Sequence, residues 1–80
     1  MNDKEKAIVD EIKAALDAVV KKPVEITIET DLIEDGCLDS LDGMIFVLDL
    51  ESRTGRKFPE DIDLVKEGFY KVRNLVKFLS

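Results

Sequence analysis

An all-α fold, a small four-helix bundle of three main helices and one short helix, is predicted by three features of the 80-residue sequence. Apolar residues recur at helical spacing in three stretches. Capping and breaking residues delimit those stretches, and no second alternating segment is present to pair with the single candidate strand. A chain of this length supports one small core, so residues 1–80 are read as one domain.

The first helix is expected over residues 4–20, where Ile8, Ile12, Ala15, Leu16 and Val19 line one face. Asn2 or Asp3 can cap it, Lys21 and Lys22 suit its C-terminal dipole, and Pro23 forces an end. Val24-Glu25-Ile26-Thr27-Ile28 alternates like a strand but lacks a partner. It is therefore read as an extended loop that tucks Ile26 or Ile28 against the core. Asp31-Leu32-Ile33-Glu34 has the spacing of a capped turn closed by Gly36, anchored by Leu32 and Ile33.

A second helix is expected from residue 40 to about 54, ended by Gly55. Phe46, Val47 and Leu50 form its inner face, and Gly43 permits a close neighbour. Leu41, Met44, Ile45 and Leu48 form a second apolar strip on another side. A small domain rarely needs one helix apolar on two sides, so that strip is a candidate partner surface edged by Asp42, Asp49 and Glu51. Phe58 is expected to plug one end of the bundle. Asp61 or Asp63 can cap a short helix ended by Gly68, and a last helix is expected from about Lys71 to Leu79 with Val72, Leu75, Val76 and Leu79 inward.

Composition narrows the chemistry. Cys37 is the single cysteine, so no internal disulfide can form, and the chain has no histidine. The formal net charge is −6, yet residues 25–52 hold nine acids and no base, so the remainder nets +3. Such a field repels nucleic acid and anionic membranes and attracts basic protein surfaces. No apolar run reaches membrane-spanning length, and Met1-Asn2-Asp3-Lys4 lacks the apolar core of a secretion signal. A cytoplasmic monomer without stable membrane insertion is expected.

The acids surround one nucleophile. In Glu34-Asp35-Gly36-Cys37-Leu38-Asp39-Ser40-Leu41-Asp42, Asp39 is a strong N-cap residue and Asp42 can return a capping-box bond. Ser40 then falls in the first helical turn with its hydroxyl free, at the positive end of the helix dipole. A hydrolytic serine would need a base, and neither a histidine nor a G-x-S-x-G elbow is present. An EF-hand counted from Asp31 to Asp42 has Gly36 at its sixth position, but Ile33 sits where an oxygen ligand is required and Asp42 replaces the bidentate glutamate. Only weak divalent binding is expected. Cys37 lies among acids that disfavour a thiolate and is read as a small apolar filler.

Asp31-Leu32, Gly36-Cys37-Leu38-Asp39-Ser40-Leu41-Asp42 and the helix that follows resemble the acyl carrier protein family, and the resemblance covers nearly the whole chain. It implies a carrier domain of that fold and no enzymatic activity. Ser40 would receive 4'-phosphopantetheine from coenzyme A through a phosphopantetheinyl transferase, with Asp39 and Leu41 as flanking motif residues. Acyl-loading and acyl-processing enzymes with basic docking surfaces would be its partners, in fatty acid, other lipid or polyketide biosynthesis. Ile45 stands where the fatty-acid carriers usually show an acid, Ser52 replaces another acid, and Gly43 interrupts the helix. These departures point toward a dedicated carrier of polyketide, modified acyl or aminoacyl groups. The rival readings are a calcium-binding module and an interaction module that is never modified.

Overall fold

The computed structural model describes residues 3–21 and 24–80. Three helices run in the order α1 (Asp3–Val20), α2 (Ser40–Thr54) and α3 (Val72–Leu79), with no strand among the described residues. Asp3 is the first residue of α1. The cap expected at Asn2 and the stop expected from Lys22 and Pro23 lie outside the described residues. No described helix is long and apolar enough to cross a membrane.

Each helix buries the face that its spacing marks out. Ile12, Ala15 and Leu16 come from α1, Phe46, Val47 and Leu50 from α2, and Val72, Leu75, Val76 and Leu79 from α3. Ile8 and Val19 lie half-buried against this core. Burying a side chain of Leu or Phe size contributes about 1.5–3 kcal/mol. The core is closed by side chains from the connections, namely Leu32, Leu38, Phe58 and Tyr70. Phe58 does plug an end: it stacks on Phe78 at 4.9 Å between ring centroids and meets Phe69 edge-on at 5.8 Å.

Residues 24–39 form an ordered strap. Val24 and Ile26 pack against the core as expected of an extended loop. The absence of a partner strand holds only in part, because Asp31 makes one antiparallel bridge with Lys71. Around it, Leu32 N–H donates to the Tyr70 carbonyl (2.9 Å), Val72 N–H to Thr30 (2.9 Å) and Arg73 N–H to Ile28 (3.0 Å). Lys71, the N-cap residue of α3, supplies no side-chain cap. The strap's carbonyls take the donors that a helix start leaves open. An Arg73–Glu29 ion pair lies beside them.

The short helix expected after Asp61 or Asp63 is instead a capped turn. Asp63 Oδ1 accepts from Val65 N–H (3.0 Å) and Lys66 N–H (3.2 Å), and Glu67 N–H donates to the Asp63 carbonyl (2.9 Å). Gly68 then takes a φ of 75°, and Phe69 N–H returns to the Leu64 carbonyl (2.9 Å). Cap and stop signals stand so close together that one turn fits between them, too little to propagate a helix.

Lys21 follows α1 with φ 61°, its N–H on the Asp17 carbonyl at 2.9 Å. A residue with a Cβ adopts this left-handed geometry at a cost. Lys21→Gly is expected to raise stability by about 0.5–1 kcal/mol in urea unfolding, while Lys21→Ala brings no gain. A gain from both would show that backbone strain is not the cause.

Candidate functional site

The strap ends by delivering Ser40. Asp31 Oδ1 accepts from Ile33 N–H (3.0 Å) and Glu34 N–H (2.9 Å), and Asp35 Oδ2 accepts from Asp31 N–H (3.0 Å). Gly36 closes this turn with φ 79°, the left-handed geometry that a glycine adopts freely. Leu38 N–H then donates to the Leu32 carbonyl at 2.8 Å, which folds the chain back before α2. Leu32 is fully buried and Leu38 nearly so, so the approach to Ser40 is anchored at both ends.

Asp39 is the N-cap of α2: its Oδ1 accepts from Asp42 N–H at 2.7 Å and its carbonyl from Gly43 N–H at 2.8 Å. The return half of the capping box, from the Asp42 carboxylate, does not form. Ser40 is the first residue of the helix and is exposed. Among the described residues no hydrogen bond engages its hydroxyl, because Asp39 already serves the backbone. The Ser40 and Leu41 N–H groups remain open at the helix start, which favours an anion there. A phosphate ester on Ser40 fits this geometry.

The outer strip of α2 is uncovered. Leu41 is 67 % exposed, Met44 64 %, Ile45 49 % and Leu48 65 %, while Gly43, Phe46, Val47 and Leu50 are buried beneath them. Ile62, which the apolar spacing did not single out, is also exposed and shares a cleft with Met44 and Leu48. The three acids along the strip differ. Asp42 is half-buried, Asp49 bonds Arg53 at 2.6 Å, and Glu51 accepts from Phe58 N–H at 2.6 Å. Glu51 therefore holds the segment after α2 in place as well as adding charge.

Tyr70 was not singled out by the sequence pattern. It precedes α3 outside any apolar period, yet its ring fills the space beside Gly43: a Cβ built there would lie 2.9 Å from the Tyr70 hydroxyl oxygen. The interior glycine of α2 has this steric cause. Cys37 is half-buried against the core, and burial, followed by the charge of Asp35, pushes its thiol pKa up. It is held as a thiol. Among the described residues no group of three His, Cys, Asp or Glu side chains is placed to hold a metal. The carboxylates of Asp31, Asp35 and Asp39 are instead committed to backbone N–H groups.

Removing the cap should separate its two contributions. Asp39→Ala is expected to lower stability by about 1 kcal/mol in urea unfolding, and Asp39→Asn, which keeps the acceptor, by less than half of that. Equal losses would mean that the charge rather than the hydrogen bond supports the helix.

No protein-family model, curated protein or solved structure matches this chain.

Proposed function

We propose that the protein is a carrier whose Ser40 receives a 4'-phosphopantetheine arm and presents acyl groups to partner enzymes. The observation that carries this reading is an exposed serine hydroxyl on the first residue of a helix whose N-cap is supplied by a different side chain. In the transfer, the Ser40 oxygen bonds to the pantetheine phosphorus of coenzyme A and the pyrophosphate bond breaks, so that adenosine 3',5'-bisphosphate leaves with the bridging oxygen. The serine proton leaves to a base on the transferase, since the chain has no histidine to take it. The arm supplies a terminal thiol on which acyl groups ride as thioesters.

The chain's own residues then divide the work. Asp39 keeps the Ser40 hydroxyl clear of the backbone, and the open N–H groups of Ser40 and Leu41 favour the phosphodiester. Leu41, Met44, Ile45 and Leu48 offer a small apolar contact, with Asp42 and Asp49 steering basic enzymes toward it. Glu51 adds to the field while remaining tied to Phe58. A small patch with acidic edges suits partners that must release quickly. Under this reading the turn at 63–69 stands in for the short third helix of a four-helix carrier bundle. Ile45 on the docking face supports a dedicated cargo, polyketide, modified acyl or aminoacyl, over the general fatty-acid role.

Incubation with coenzyme A and a broad-specificity phosphopantetheinyl transferase is expected to add one pantetheine phosphate by mass, and Ser40→Ala to abolish it. No adduct, or one that survives the substitution, rejects the carrier reading.

For docking, Ile45→Glu and Met44→Ala carriers loaded with one acyl group are each expected to lose about fivefold or more in the cognate enzyme's kcat/KM. Circular dichroism should show both folded, since both side chains are exposed. Unchanged rates in folded variants would move docking to another face.

A further inference from the structure

A cleft of about 320 Å³ lies beside α3 and shares no residue with the exposed strip of α2. Phe69 and Phe78, both half-buried, supply its apolar surface, and the exposed Glu67, Asn74 and Lys77 surround it. The two rings meet edge-on, 5.3 Å between centroids with their planes at 78°, and the buried Phe58 touches both. Three rings in mutual contact give the cleft a fixed shape, so a guest is bound there at little ordering cost to the protein.

Charge gives this side a sign opposite to that of α2. Residues 64–80 hold four bases, Lys66, Lys71, Arg73 and Lys77, and one acid, Glu67, whereas residues 25–52 hold nine acids and no base. Arg73 is paired with Glu29, but Lys66 and Lys77 are exposed, and among the described residues neither forms an ion pair. Arg56, whose guanidinium donates to the Ser80 carbonyl at 3.3 Å, adds a cation at the C-terminal end of α3. This side therefore attracts acidic partners that the Ser40 side repels.

Size and polarity select among such partners. A cavity of ~150 Å³ accommodates benzene and pockets for drug-sized ligands span ~300–1,000 Å³, so the cleft suits one aromatic or large aliphatic side chain with the backbone around it. The Asn74 amide donates to the Gly68 carbonyl at 2.9 Å, which fixes the side chain, and its oxygen and second hydrogen are left to pair with a guest's backbone N–H and C=O. A bilayer or a nucleic-acid duplex spreads its charge past the 30 Å length of the protein and meets the net charge of −6. A short acidic peptide presents its charge to the basic side alone.

We propose that the α3 cleft is a docking site for an acidic polypeptide segment, which inserts one aromatic or large aliphatic side chain against Phe69 and Phe78 and sets carboxylates near Lys66 and Lys77. Glu67 is the one acid at the cleft and opposes this binding. The site does not depend on the carrier reading. A partner held here leaves Ser40 and the outer strip of α2 uncovered.

The test titrates the isotope-labelled full-length protein, followed by NMR, with a blocked peptide of one phenylalanine between two runs of three glutamates. Saturable binding with a Kd below about 1 mM is expected, with the largest shifts at Phe69, Asn74, Lys77 and Phe78. A peptide with alanine at its centre is expected to bind about fivefold or more weakly, and raising salt from about 50 to about 300 mM to weaken both. Lys77→Glu should cost about threefold or more, while Glu67→Gln should tighten binding by about twofold. The two peptides are compared on the wild-type protein, so the proposal remains open to refutation should a variant not fold. Ser40→Ala is expected to bind like the wild type, which separates this site from the carrier reading. Equal affinity for the two peptides, shifts centred on another face, or no saturation would overturn the proposal. So would tighter binding to vesicles of phosphatidylcholine and phosphatidylglycerol or to a DNA duplex, or a dimer in sedimentation that Lys77→Glu dissolves, which would assign the face to a second copy of the chain.

Discussion

The backbone bonds between residues 28–32 and the entry to α3 tie the molecule together. Helix α3 has eight residues, too few to persist alone in water, and Lys71 gives it no side-chain cap. The carbonyls of Ile28 and Thr30 accept from Arg73 and Val72 N–H, and the Tyr70 carbonyl accepts from Leu32 N–H. Each side supplies what the other lacks. The strap gains a fixed course and a fully buried Leu32, and α3 gains acceptors for its first donors. Ser40 depends on this arrangement, since the Leu38 bond to Leu32 sets where α2 begins.

Acidity plays two parts in the same residues. Asp31, Asp35, Asp39 and Asp63 each accept from backbone N–H groups, so they shape the turns in which they lie. Their charge still contributes to the field around Ser40, because a hydrogen bond to an amide does not neutralise a carboxylate. Asp49 is different: its 2.6 Å bond to Arg53 brings an opposite charge to the outer side of α2. Because that pair is partly exposed, it modifies the local field more than it stabilises the helix.

Helix α2 is anchored on one side and exposed on the other. Its inner side is fixed by Phe46 and Leu50 in the core and by the Tyr70 ring against Gly43. Its outer side leaves Leu41, Met44, Ile45 and Leu48 in water. Under the proposed docking role, an apolar strip on a helix so firmly seated would cost a partner little conformational ordering, since the side chains already stand on a rigid element.

Local patterns in the chain determined much of this. The three helices, the Asp39 cap, the αL stop at Gly55 and the division of α2 into buried and exposed strips all follow from interactions within a few residues, and spacing encodes such interactions directly. The turn at 63–69 shows where local signals mislead, because cap and stop were both present and only the distance between them left no room for a helix. Tertiary structure alone decided that Glu51 would bond Phe58 N–H, that the strap would cap α3, and that Tyr70 would lie against Gly43. Those contacts join residues 7, about 42 and 27 positions apart in the chain. Neither periodicity nor capping rules reach across such separations; they are settled when the packed core brings the segments together and every buried polar group must find a partner.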